Sequence, residues 1–409
     1  MFYRKKKYIA AASLSSIARK RFLKNKLSLC SLIIIALFTL IAILGYLITP
    51  DQTPFSNEQY LELSTKKPGF SIKMLQIKKN EKEEKTNLLY KMLYGEKSPF
   101  LRIPIYSYKF EKEYIEIETY TGTTPNDGEK KKINIANVVF PLDYNSTVIQ
   151  IDNNLQFKDI YGRLHKETIS SIRKTIERDN FYVKHFYLGS DRFGRDMLSQ
   201  LIIGTRVSLS VGFISVIISL IIGIVLGALA GFFKGWIDNL IVWFINVIWS
   251  IPTLLLVIAI TFALGKGFWQ VFIAVGLTMW VEVARVVRGQ ILSIREKEYV
   301  EAGRALGFSN GRIIFRHILP NVMGAVIVIS AANFASAILM EAGLSFLGIG
   351  VQPPMPSWGS MIKENYAYII LDSAYLAIIP GIAIMIVVLA FIIAGNGLRD
   401  ALDVKLTEK

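Results

Sequence analysis

The residues best placed to do work here are charged and glycine residues at short, fixed spacings. Glu301, Ala302 and Gly303 are followed by Gly307 and later by Leu319-Pro320, all within the basic stretch 298–321. Small side chains on a short helix allow close approach by a partner protein, and a glycine just beyond it lets the chain turn sharply away. Alone, Glu301 to Gly307 also fits a surface helix with no partner. Asp191, Gly194, Arg195 and Asp196 crowd one short segment, either as an outer-surface salt-bridge cluster or as a gate. Arg285 and Arg288 stand one helical turn apart, as arginines do when they anchor a membrane helix at the headgroups. Glu282 and Glu341 fall at the ends of apolar runs, which places them at the membrane interface. Trp358 lies in the loop after the second of these.

Several chemistries are missing. No G-x-x-x-x-G-K-[ST] phosphate loop occurs, and 343–350 is glycine-rich but lacks the lysine and hydroxyl that would hold phosphate and magnesium. No Ser/His/Asp set and no H-E-x-x-H suggests a hydrolase. His165, His185 and His317 are scattered, without metal-site spacing. Ionisable residues are nearly absent from the apolar runs, so the sites that a proton- or sodium-coupled carrier needs are lacking. A pathway without an obvious energy source must be driven by something outside the chain.

The elements that position these residues are membrane helices. Hydrophobic residues make up 52% of the 409, and mean hydropathy is +0.40. The apolar residues gather in charge-free blocks near the length that crosses ~30 Å of hydrocarbon. Net charge is +15, which suits cytoplasmic membrane loops as well as nucleic acid, and no nucleic-acid partner is expected. Cys30 is the only cysteine and cannot form an intrachain disulfide. Residues 1–26 are strongly basic and precede the run 28–48, too long for a signal-peptide core and without a small-residue cleavage pattern. It is expected to be an uncleaved first span (27–49) with its N-terminus inside. Further runs occupy 207–233, 240–264 with a kink at Pro252, 268–281 continuing through Arg288, 322–340 and 374–394. Gly223, Gly227 and Gly231 place small residues on one face of the second run, a stripe that suits close helix packing or is ordinary glycine frequency. Six crossings put both termini, the loop 289–320 and the tail 397–409 on the cytoplasmic side.

Residues 50–188 between the first two spans are polar and patterned. Ile115 and Ile117 alternate with Glu116 and Glu118 as in a half-buried strand. Ile133 and Ile135 repeat the pattern after a Pro125-Asn126-Asp127-Gly128 turn, which predicts a hairpin. The mixed charge run 78–85 reads as solvated surface, and 166–179 reads as helix. The expected fold class is an all-α integral membrane protein of six transmembrane helices, with an inserted extracytoplasmic α+β domain between helices 1 and 2. The transmembrane core is expected over 189–396.

The stretch Glu301-Ala302-Gly303, Gly307, Ile318-Leu319-Pro320 resembles the EAA loop of bacterial ABC-transporter permeases. Gly303 stands where that family has alanine, and His317 where it has isoleucine. Leu188-Gly189-Ser190-Asp191 with Gly194-Arg195-Asp196, Arg285 with Arg288-Gly289-Gln290, Glu341-Ala342-Gly343-Leu344-Ser345-Phe346-Leu347-Gly348 with Pro356-Ser357-Trp358-Gly359, and Gly397-Leu398-Arg399-Asp400 are similar to the dipeptide/oligopeptide/nickel branch. The order of blocks is that of its second, C-type permease, and they cover roughly residues 185–405. The resemblance implies a non-catalytic pathway subunit of an ATP-driven importer in the bacterial cytoplasmic membrane, for peptides or, alternatively, nickel. Its implied partners are a homologous permease, two ATPase subunits that hold ATP and magnesium, and an extracytoplasmic solute-binding protein. No cofactor is expected on this chain. Residues 60–180 have no counterpart in the family; a docking surface for the binding protein is the expectation there. The competing classes are a secondary transporter and a membrane sensor, and neither requires an EAA loop.

Overall fold

A computed structural model of the protein describes residues 14–83, 86–122, 124–125, 127–265 and 267–402. The basic residues 4–7, Asn126 of the turn, and Asp403 and Lys405 of the tail lie outside the described residues. In chain order the helices are α1 (Leu14–Lys24), α2 (Lys26–Ile48), α3 (Leu88–Tyr94), α4 (Ile135–Val139), α5 (Ile169–Thr175), α6 (Met197–Phe233), α7 (Gly235–Trp249), α8 (Thr253–Leu264), α9 (Phe268–Ile294), α10 (Glu298–Ala305), α11 (Asn310–Arg312), α12 (Leu319–Phe346), α13 (Trp358–Asn365) and α14 (Tyr375–Leu402). The strands are β1 (Phe70–Lys78), β2 (Phe100–Glu111), β3 (Tyr114–Thr119), β4 (Lys130–Asn134), β5 (Ile149–Ile151), β6 (Asn154–Lys158), β7 (Leu164–Thr168) and β8 (Phe181–Phe186). The chain divides into two units, one holding residues up to 42, 204–363 and 377 onward, the other 43–203 and 364–376.

The first unit is helical. Among the described residues five stretches, α2, α6, α9, Asn310–Phe346 and α14, are long and apolar enough to cross a membrane. The sixth expected span is not one kinked helix: α7 and α8 meet at 92°. Pro252 has no N–H to continue a helix and disfavours helical geometry in the residue before it. Its ψ of 121° is extended, so α8 begins afresh. The pair makes a sixth crossing only when counted together.

Helix α9 forms the centre of this unit, and the glycine stripe of α6 is where the two meet. A Cβ added at Gly223 would lie 2.5 Å from the Val283 Cβ, and one at Gly227 would lie 2.6 Å from the Ala284 carbonyl. No side chain larger than hydrogen fits there without moving backbone. The expected cytoplasmic tail is partly helix: Gly397 to Leu402 complete α14, and a Cβ at Gly397 would collide with Ser28 of α2. Part of the basic N-terminus is helix too, since α1 precedes α2. Asn25 separates them, its side chain accepting from the Leu27 and Ser28 amides at 3.1 and 3.3 Å.

The second unit carries an antiparallel five-stranded sheet in the order β4-β3-β2-β1-β8 and a three-stranded sheet, β5-β6-β7. Ile115 and Ile117 point into a core with Leu75, Ile105, Phe157 and Ile172. Strands β3 and β4 form the expected hairpin, Ile115 opposite Ile133. Ile135 departs from the expected alternation. The Asn134 side chain accepts from the Ala136 amide at 2.9 Å and starts α4, so Ile135 reaches the core from a helix. The helix expected over 166–179 is also shorter. Residues up to Thr168 pair in β7, Thr168 caps α5, and a π-turn from Ile176 to Asn180 follows.

Candidate functional site

The loop between α9 and α12 is built as a short helix on a fixed seat. Helix α10 buries Val300 and Gly303 against the chain and exposes Glu301, Ala302, Arg304, Ala305 and Leu306. Val300 joins Ile313, Ile318 and Val322 in one cluster with Val283, Val287 and Ile291 of α9. The helix ends in a Schellman turn: the Gly307 amide donates to the Arg304 carbonyl at 2.9 Å, and the Phe308 amide to the Gly303 carbonyl at 3.1 Å. Gly307 has φ of +75°, which only glycine adopts readily. Phe308 folds back over Gly303, stacks on His317 with centroids 5.8 Å apart, and lies beneath Arg312 at 4.1 Å. At the loop's base the Asn321 amide donates to the Tyr299 hydroxyl at 3.3 Å and the His317 carbonyl at 2.8 Å.

One sequence expectation changes in this loop. Gly303 faces Phe308 and Ile313 rather than an outside surface. Leu319-Pro320 does not stop the loop helix, since the chain is helical from Asn310 through Phe346. Pro320 lies inside this continuous run, two residues after the π-turn that ends at Ile318. The π-turn from Ile313 to Ile318 absorbs the local change of pitch just before it. Loop and span therefore form one mechanical piece.

Glu341 is 22 residues beyond Leu319 on that helix, about 33 Å along its axis. It is wholly buried. The Ser345 hydroxyl donates to it at 2.7 Å, and Ser208 of α6 is 3.5 Å away. Ser208 also accepts from the Trp358 amide at 3.3 Å, so Glu341 and Trp358 are brought into one polar network. The Trp358 ring, fully buried, sits edge-on to Phe38 of α2 at 5.9 Å. Arg285 and Arg288 do more than reach toward headgroups. Arg285 lies 3.7 Å over the Trp249 ring, and Arg288 makes two bonds to Asp238 of α7, at 2.6 and 2.8 Å.

In the second unit, Asp191, Arg195 and Asp196 are buried, not a cluster on the surface. The Arg195 guanidinium donates to Asp191 at 2.6 Å and to Glu364 at 2.5 Å. Burial works against its charge, but the two carboxylates hold its pKa above the usual arginine value. Asp196 is outside this pair and caps α6, accepting from the Ser199 amide and hydroxyl at 2.8 and 2.5 Å. Burial raises the Asp196 pKa despite those bonds. Gly194, at φ +72°, passes so close to the Tyr60 carbonyl that any side chain would collide.

Sequence reasoning missed Asp238, Glu364, Ser208 and Phe308. Asp238 is the only acidic residue between Asp196 and Glu282, a signal that was available. The others were unremarkable serines, acids and aromatics until folding brought them near a motif.

The family described as "Binding-protein-dependent transport system inner membrane component" matches residues 223–408. That described as "N-terminal TM domain of oligopeptide transport permease C" matches 13–68. Over 220 residues the chain is 41% identical to the glutathione transport system permease protein of Pectobacterium atrosepticum, covering 54% of this chain and 73% of that protein. It is 43% identical over 220 residues to the dipeptide transport system permease protein of Alkalihalophilus pseudofirmus, covering 54% and 72%. Among solved structures, the inward-facing methionine ABC transporter aligns with a TM-score of 0.43 and 19% identity, covering 51% of this chain and 98% of that one.

Proposed function

We propose a function from one premise: the chain belongs to the family of inner-membrane components of binding-protein-dependent transport systems. It acts as one of two permease subunits of an ATP-driven importer of di- or oligopeptides. The names of its relatives support that substrate class, one being a glutathione and the other a dipeptide permease. The second permease, two ATPase subunits and a solute-binding protein complete the system, and ATP and magnesium belong to the ATPases. Both termini and the 289–320 loop face the cytoplasm. The strand-rich unit faces outward, where it extends the surface offered to the binding protein.

The observation that carries this reading is the construction of α10. It displays Glu301, Ala302, Ala305 and Leu306 outward while its other face is locked into α9 and α12 through Val300, Ile313 and Ile318. A docked ATPase that moves α10 would move those spans with it, because the seat has no slack. Glu341 does not revive a coupled carrier, since its contacts are serine hydroxyls of its own bundle.

Copurification from membranes tests the reading. An ATPase pair should accompany the wild-type chain, and Gly307→Pro should abolish both that association and transport while leaving the chain inserted. A chain that transports with no ATPase attached, or normal transport by the variant, would overturn it. Removing residues 60–180 should weaken binding-protein affinity; unchanged affinity and transport would remove the docking role of that unit.

A further inference from the structure

Helix α3 presents an apolar surface that its own unit does not cover. Leu88, Leu89, Tyr90, Leu93 and Tyr94 are 70, 65, 52, 52 and 61% exposed, and no residue of the helix is buried. At 100° per residue, Leu89, Tyr90, Leu93 and Tyr94 share one side, with Lys91 and Met92 turned toward the body. Five large apolar side chains exposed on a seven-residue helix are a patch and not scattered surface residues.

The position of the helix says what covers it. Gly95 ends α3 and passes against the chain leaving α2. The Glu96 amide donates to the Gln52 carbonyl at 2.9 Å, and a Cβ on Gly95 would lie 2.7 Å from that oxygen and 3.0 Å from the Tyr46 ring. Gln52 follows the last residue of α2, Ile48, by four positions, and Ile43 and Ile48 are themselves exposed at that end. A seven-residue helix is about 10 Å long, so all of α3 lies within about that distance of Gly95, which packs on Tyr46 in the last turn of α2. Leucine and tyrosine beside the end of a span have the composition of an interfacial element, with rings at headgroup level.

We propose that the Leu89–Tyr90–Leu93–Tyr94 face of α3 is seated in the lipid–water interface of the outer leaflet and fixes the strand-rich unit against the membrane. The assignment rests on α2 being a span. It continues the lipid-facing surface of that helix by one short turn of chain.

The test uses the full chain in its intact complex, in vesicles of phosphatidylethanolamine and phosphatidylglycerol. In a Cys30→Ser background, single cysteines at Leu89→Cys, Tyr144→Cys and Leu37→Cys carry an environment-sensitive fluorophore. Tyr144 is a solvent reference at 87% exposure, and Leu37 is the reference for the span itself. The Leu89 label should be shielded from iodide several-fold relative to Tyr144 and quenched by a nitroxide near the lipid headgroup. If it is as open to iodide as Tyr144 while Leu37 is lipid-quenched, the proposal falls and the span stands. If Leu37 is not lipid-quenched, the span reading falls first. Shielding of Leu89 that arises only on adding a solute-binding protein would make the face a protein dock and overturn the lipid assignment.

Discussion

The 298–321 loop and the Asp191–Arg195 segment were both marked out in the sequence by charge and glycine at close spacing, yet they fold in opposite senses. Around Glu301 the charged and small side chains are left in solvent, and the apolar ones hold the helix from behind. Around Arg195 the charges are withdrawn, with Asp191 at 2% and Arg195 at 5% exposure, and they satisfy one another. A charge paired inside its own unit is accounted for by the shape it holds. One displayed on a braced helix is open to a partner from outside, which is the role proposed for α10.

The largest expected effect is at the buried cluster. Arg195→Leu leaves Asp191 and Glu364 without their cation in a site closed to water, and breaking a buried pair from one side costs about 3–5 kcal/mol. Thermal unfolding of the strand-rich unit should fall accordingly, while chain that still folds should bind its ATPase normally. A stability change under about 1 kcal/mol would mean that water reaches the cluster, and the contrast with the loop would collapse.

Glu301→Lys should do the reverse. An exposed substitution of this kind shifts stability by no more than about 0.5 kcal/mol. Transport and ATPase copurification should nonetheless drop at least tenfold, equivalent to about 1.4 kcal/mol of docking. Normal transport would show that α10 is displayed to nothing.

The sequence was legible where physics is local. Charge-free runs mark spans because nothing else explains twenty apolar residues in a row, and the β3–β4 hairpin followed from alternation alone. Legibility failed where an outcome depended on a partner distant in sequence. Glu341 ends an apolar run, and its burial draws on Ser345 one turn along the same helix and also on Ser208, which only folding brings in from α6. Arg195 was expected to meet Asp191, four residues away, but not Glu364, which returns to it from 169 residues on. Proline depends on its surroundings in the same way. Pro252, expected to kink its span, breaks it, whereas Pro320 is carried within a continuous helix beside a π-turn.

Acid sharpens the comparison further, because the second unit holds another buried ionic group. Burial opposes the charge of Glu58, but Lys184 and Arg102, at 3.3 and 2.8 Å, hold its carboxyl below the usual range. A carboxylate with a depressed folded pKa contributes stability that is full above its unfolded value, about 4.3, and is lost as pH falls through the folded value. The strand-rich unit should therefore loosen below about pH 4, and Glu58→Gln should flatten that slope.

The smallest effect lies between the two extremes, at Arg288. Its guanidinium is about one-third exposed, its partner Asp238 less so, and the geometry is bidentate. A double-mutant cycle with Arg288→Ala and Asp238→Ala should give a coupling of about 0.2–1 kcal/mol, the range for pairs that water still reaches. Arg285→Ala, which removes the stack on Trp249, should cost about 0.5–1 kcal/mol and add independently. The size of the cycle decides which side of the comparison Arg288 joins. A clear coupling makes it a brace that ties α7 to α9 just ahead of the loop, so that motion of α10 reaches the broken pair α7–α8. A coupling of zero would return Arg288 to the headgroups, and the brace on α7 would then rest on Arg285 alone.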